Sequence, residues 1–158
     1  MQVHWLGRAL SQAMTKDERV TQGMGVFQQP VRHTMTEQRQ SLGKKGEDLA
    51  AVYLKKKRGY KILFRNYRCV FGEMDIIAKD GDVLAFVEVK TRASEKFGKP
   101  QESVNRRKQG QLSKVALHFI NKYNAHNVKA RFDVVAVYLL PQEERMELIK
   151  DAFELAVG

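Results

Sequence analysis

Asp75, Glu88 and Lys90 flank an Asp80-Gly81 pair, at spacings that bring them together. Residues 72–79 (GEMDIIAK) and 82–90 (DVLAFVEVK) are rich in β-formers, and Asp-Gly between two such runs is a hairpin signal. With a two-residue turn at Asp80-Gly81, facing residues have numbers that add to 161, so Asp75 faces Phe86 and Glu73 faces Glu88. Facing residues share a sheet face, as do residues two apart on one strand. Glu73, Asp75, Glu88 and Lys90 then project from one face, with Asp75 and Glu88 diagonal at roughly 7–8 Å between Cα atoms. The opposite face of the second run is Val83, Ala85, Val87 and Val89, all apolar. A slip of one residue would exchange the faces.

Three acids and a lysine at one end of a strand pair repel one another or lose hydration unless something compensates. A divalent cation does so: Mg²⁺, with Mn²⁺ as the nearest substitute, takes a few carboxylates, several waters and phosphate oxygens. Lys90 beside it can orient or deprotonate water, or stabilise charge on a phosphate. The plainer alternative is a solvated strand end closed by a Glu–Lys salt bridge.

Two helical residues bear on the same cluster. Residues 41–59 read as a helix with the stripe Leu42, Leu49, Ala50, Tyr53 and Leu54, lysines and Asp48 opposite, and Gly59 as its stop. Glu47 lies at the edge of that stripe, about 20° from Leu54 on a helical wheel. A second helix over 101–123 buries Val104, Leu112, Val115, Phe119 and Ile120, and Lys108 falls inside that apolar arc. A charge there either snorkels or belongs to a site. Snorkelling is the simpler reading for Lys108; for Glu47 both stand.

Residues 60–68 (YKILFRNYR), 131–140 (RFDVVAVYLL) and 146–151 supply three more strands, the second long and apolar enough to be central. The order α-β-β-β-α-β-β implies an α/β fold: a mixed five-stranded sheet flanked by helices. Residues 1–40 are rich in Gln, Thr and Met and lack sustained periodicity, apart from a short amphipathic stretch at 5–14. They are expected to be a disordered extension, or upstream of a frame that begins at Met35. Residues 41–152 form the domain and 153–158 a tail.

The 158 residues, 43% hydrophobic and 29% charged, fit one globular domain and exclude fibrous or collagen-like chains. Twenty-eight Lys+Arg against 18 Asp+Glu give +10, which favours polyanionic partners: nucleic acid or an anionic membrane surface. The lone Cys69 precludes an internal disulfide and a cysteine-rich zinc site, and His4, His33, His118 and His126 are scattered. Without a long apolar run or a secretory signal, the expected setting is the cytoplasm, with no membrane span. Basic residues gather at Lys55-Lys56-Lys57-Arg58 and Arg106-Arg107-Lys108, with Arg65, Arg68, Arg92, Lys96 and Lys99 between them. Of these, Arg92, Lys99, Arg106 and Arg107 are the candidates for holding phosphates. No recognition helix, zinc finger or RNA-binding aromatic motif is present, so contacts to backbone and shape are expected.

Asp75 followed by Glu88-Val89-Lys90 resembles the D…(D/E)-x-K signature of the restriction-endonuclease-like nucleases. The blocks GKKGEDLAAVYL, GYKILFRNYR, GEMDIIAKDGDVLAFVEVKTR and FGKPQESVNRRK resemble, more specifically, the YraN-type family of uncharacterised bacterial proteins (uncharacterised protein family 0102), similar in fold to Holliday junction resolvases. The likeness spans about residues 41–152. It implies a restriction-endonuclease-like three-layer core, Asp75 and Glu88 as metal ligands, and Lys90 as the catalytic lysine. It also implies that Glu47 completes the metal site. Met74 stands where the superfamily signature carries proline.

The expectation is therefore a Mg²⁺-dependent DNA endonuclease acting on branched or structured DNA, with Glu73 and Lys108 as accessories and a homodimer left open. The rival from another class is a non-catalytic nucleic-acid-binding accessory protein of repair, recombination or uptake. A basic structural or ribosome-associated protein is a third reading, and it leaves the acid cluster unexplained.

Overall fold

The computed structural model describes residues 34–94 and 100–156. The extension proposed for residues 1–40 therefore lies outside the described residues up to 33. Helix α1 (Met35–Arg58) begins six residues before the apolar stripe predicted it would. The reason is local: Thr34 and Glu37 form a reciprocal capping box, with Thr34 N–H donating to Glu37 at 2.7 Å. Gly59, at φ 74, closes the helix in the left-handed region.

Strands β1 (Lys61–Cys69), β2 (Gly72–Asp80) and β3 (Val83–Arg92) form an antiparallel meander. A 3₁₀ turn (Pro100–Ser103) and helix α2 (Arg106–Lys122), capped by Asn105, carry the chain to β4 (Ala130–Leu140). β4 lies parallel to β3, and β5 (Glu143–Phe153) runs antiparallel beside it, giving the order β1-β2-β3-β4-β5. β5 is longer than its sequence pattern suggested, and the residues after it still touch the domain: Ala156 N–H donates to Ser113 on α2 at 2.9 Å.

Alternation along the strands divides the core into two layers. Ala85, Val87 and Val89 of β3 join Ala50 and Leu54 of α1, while Leu84 and Phe86 join Leu112, Val115 and Phe119 of α2. The helices therefore cover opposite faces, and the fold is the three-layer α/β arrangement expected.

The hairpin turn is not the one expected. Asp80 pairs with Val83, so the turn is Gly81-Asp82, with Gly81 at φ 59, and facing residues add to 163 rather than 161. Asp80 stays in the strand because Arg131 and Lys150 hold its carboxylate at 2.6 and 2.7 Å. Phe86 consequently faces Ile77, not Asp75. The shift is by two, so the sheet faces assigned to β3 survive it.

Candidate functional site

The β2–β3 ladder has its last pair at Ile76 and Val87. Just beyond, Val89 N–H donates to Asp75 Oδ2 at 2.7 Å, a side chain standing where a ladder carbonyl would be. Strand alternation breaks there too, since Met74 and Ile77, three apart, both enter the α2-side core. On β1, Asn66 adopts φ 51 between Arg65, which pairs with Ile76, and Tyr67, which pairs with Met74. A left-handed non-glycine residue inside a strand stores about 1–3 kcal/mol, and asparagine tolerates it better than most.

Four other charged side chains reach this opening. Glu88, 4% exposed, accepts from Lys90 Nζ at 2.7 Å, and Lys108 Nζ lies 3.3 Å from the same Oε1. Its other oxygen, Oε2, is buried without a hydrogen-bond partner. Glu47 arrives from α1, which crosses β3 so closely that a Cβ on Gly46 would run into the Thr91 side chain. Asn66 lies close enough to Glu47 to favour its ionised form.

The electrostatics follow from that crowding. Burial above all, then Glu88, pushes the Asp75 carboxyl from 3.8 up to about 7; Glu47 adds to this, while Val89 N–H and Lys108 oppose it. Burial also raises the pKa of Glu47, against the pull of Arg65. Asp75, Glu88 and Glu47 are thus electrostatic neighbours, two of them with raised proton affinity.

A divalent cation fits this donor chemistry in two respects: the donors are hard oxygens, and one of them, Glu88 Oε2, is buried and unpartnered. Closure is missing. Among the described residues no three His, Cys, Asp or Glu side chains converge as a cage. Lys90 and Lys108 supply part of the compensation that the sequence assigned to a cation, so the Glu–Lys pair of the plainer alternative is present, but with its acid buried.

Several expectations require correction. Lys108 does not snorkel to solvent but turns inward to Glu88. Glu73 neither faces nor contacts Glu88; it opposes Arg68 of β1 and pairs with it at 3.1 Å near the surface. Arg92 is 8% exposed, because its strand position turns it into the protein, so it offers no open phosphate contact. Arg106 and Arg107 are exposed as expected, whereas Lys96 and Lys99 lie outside the described residues. Two contributors went unread: Asn66, whose type is disfavoured in strands, and Gly46, a helix-interior glycine that marks a close approach.

A second polar cluster, also missed, lies elsewhere on the sheet. Asp133, fully buried on β4, accepts from Tyr60 at 2.9 Å, from Arg131 Nε at 2.8 Å and from Asp151 N–H at 2.9 Å. Arg131 also donates to Asp80 and Tyr60. Its two carboxylates hold the Arg131 guanidinium firmly charged, and burial with Asp133 pushes the Tyr60 hydroxyl well above its ordinary range.

Among the described residues no helix is long and apolar enough to cross a membrane. The family model of Uncharacterised protein family UPF0102 matches residues 46–137. A UPF0102 protein of Syntrophus aciditrophicus is 56% identical over 116 residues, 73% of this chain and 91% of that protein. Another, from Caldicellulosiruptor saccharolyticus, is 50% identical over 117 residues, 73% of this chain and 98% of that one. A solved structure described as "Crystal structure of SSO0001" resembles 75% of this chain and 55% of its own, at 17% identity and a TM-score of 0.34. With a family model matching more than half its length and relatives at this identity over nearly three quarters of it, the chain belongs to uncharacterised protein family UPF0102, the YraN-type family.

Proposed function

We propose that this protein is a Mg²⁺-dependent DNA endonuclease acting on branched or structured DNA, with its reacting centre at Asp75, Glu88 and Lys90. The observation that carries the reading is a buried carboxylate, Glu88, with one oxygen unpartnered, beside a second acid whose proton affinity is raised by burial. Such under-compensated charge is costly, and a protein keeps it where a ligand completes it.

Asp75 and Glu88 would hold the cation, with Glu47 in support. Bound there, Mg²⁺ lowers the pKa of an attached water and neutralises charge developing on the phosphate. Lys90 Nζ, 2.7 Å from Glu88, stands where it can orient the attacking water or donate to a phosphate oxygen. Lys108 holds Glu88 in place from the opposite helix. Arg106 and Arg107, exposed at the start of α2, grip the flanking backbone, and the net charge of +10 draws DNA to the surface.

One observation favours the rival, a non-catalytic nucleic-acid-binding accessory protein: Lys90 and Lys108 already compensate one oxygen of Glu88, and among the described residues no three acids close on a common point. The two readings part in a nuclease assay on plasmid, single-stranded and four-way-junction DNA with Mg²⁺, Mn²⁺ or EDTA. Cation-dependent cleavage by the wild type that is lost in Lys90→Ala supports the enzyme. DNA binding without cleavage under every condition supports the accessory protein.

A further inference from the structure

The outer surface of α2 carries a cleft of about 720 Å³ lined by Phe71, Leu155, Gly110 and three cations, Arg106, Arg107 and Lys114, with no acid among the described lining residues. A second hollow of about 520 Å³ shares Phe71 and Lys114 and adds His118 and Lys122. Phe71 stands between the two, 46% exposed, and Val70 beside it is 90% exposed. These two residues are the turn joining β1 to β2, whose last pair is Cys69 and Gly72. Two-residue hairpin turns favour Gly, Asn and Asp, so nothing in local conformation calls for a valine and a phenylalanine there. Nor is the tip loosely held. Gly72, at φ 133, comes so close to α2 that a Cβ would strike the Gln111 side chain, and Phe71 sits edge-on to His118 at 6.1 Å.

An exposed ring fixed on a helix and bordered by cations suits one chemistry above others: unpaired nucleotides. Every base offers a face to stack on an aromatic ring, and every nucleotide brings a phosphate to a nearby cation. A paired duplex hides its base faces and can use only the cations. An apolar protein partner has little use for a rim whose described charged residues are all cations. Position agrees as well. Lys108, whose ammonium reaches Glu88, is on the same helix, and Lys114 lies about 9 Å further along the axis.

We infer that the Val70-Phe71 turn and the hollows beside it bind unpaired nucleotides, Phe71 stacking on a base while Arg106, Arg107 and Lys114 take the adjoining phosphates. The substrate class narrows to DNA in which duplex gives way to single strand near the reacting centre. This rests on the reading of DNA as partner, though not on cleavage.

The test is fluorescence anisotropy with the full chain in EDTA, using a labelled single strand of about 15 nucleotides, the matching duplex and a forked duplex. Phe71→Ala and Phe71→Leu should each weaken single-strand and fork binding about tenfold or more, the scale of losing one stacked base. Duplex affinity should stay within about twofold, because no phosphate contact is removed. Phe71→Trp should retain the wild-type preference. Lys114→Gln should weaken all three ligands and flatten the salt dependence by about one phosphate contact. Equal losses on duplex and single strand, or no loss with Phe71→Leu, would overturn the stacking role. No binding of the wild type to any DNA would overturn the DNA reading itself along with it.

Discussion

Two buried acids, Asp133 and Glu88, lie on adjacent parallel strands and receive opposite treatment. Asp133 has both oxygens engaged, by Tyr60, by Arg131 and by the Asp151 amide. Glu88 has two lysines on one oxygen and nothing on the other, and its neighbour Asp75 is pushed towards protonation. A network that meets its own needs rigidifies a fold; one left incomplete is where a ligand belongs. Within a single sheet, the contrast sets a self-satisfied polar network beside the site proposed for function.

The largest effect is expected from breaking the complete network. Asp133→Ala leaves Arg131 and Tyr60 buried without their main partner, and urea denaturation should show a loss of about 3–5 kcal/mol. If the folded variant cleaves DNA as wild type does, the network is structural, as argued. Breaking the incomplete cluster should do the reverse. Lys90→Ala should lower cleavage at least ~10²–10³-fold, the scale of one transition-state-stabilising group, with little change in the denaturation midpoint.

The comparison was partly legible in the sequence. Alternation on β3 placed Glu88 and Lys90 on one face, and the stripe of α1 set Glu47 at its edge, because period alone fixes which side of an element a residue occupies. The turn was misplaced by one residue, which moves each cross-strand partner by two and left the β3 faces unchanged. What could not be read was tertiary. The break in β2 at Asp75, the left-handed Asn66 and the inward turn of Lys108 all depend on neighbours distant in sequence. The capping box at Thr34 and Glu37 was visible but lay ahead of the apolar stripe. Asp133 was visible as well, a single acid in an apolar strand, but its partners come from elsewhere in the chain, Tyr60 from the residue before β1 and Asp151 from β5.

Smaller effects sharpen the contrast. Asp75→Asn should stabilise the protein by about 0.5–2 kcal/mol at pH 8 while abolishing cleavage, the trade-off expected where function keeps a strained group. Its pH dependence has a definite sign. With its pKa raised from 3.8 to about 7, folded Asp75 holds a proton that the unfolded chain has released between those values. Wild-type stability therefore falls relative to Asp75→Asn as pH rises from about 4 to 7, then levels. Thermal melts across that range check it. Asp80 behaves oppositely: hydrogen bonds from Lys150 and Arg131 lower its pKa, so its contribution is present above the ordinary carboxyl range and fades as pH falls through the lowered value. Asp80→Asn should reduce the stability difference between pH 6 and pH 3, by the least of these amounts.

The most direct measurement of the central claim is calorimetric titration of Mn²⁺ into the wild type, Asp75→Asn, Glu88→Gln and Asp80→Asn at pH 8. One site is expected in the wild type, lost or at least tenfold weaker in the Asp75 and Glu88 variants and unchanged in Asp80→Asn. Equal binding in all four proteins, or none in the wild type with DNA present or absent, would contradict it.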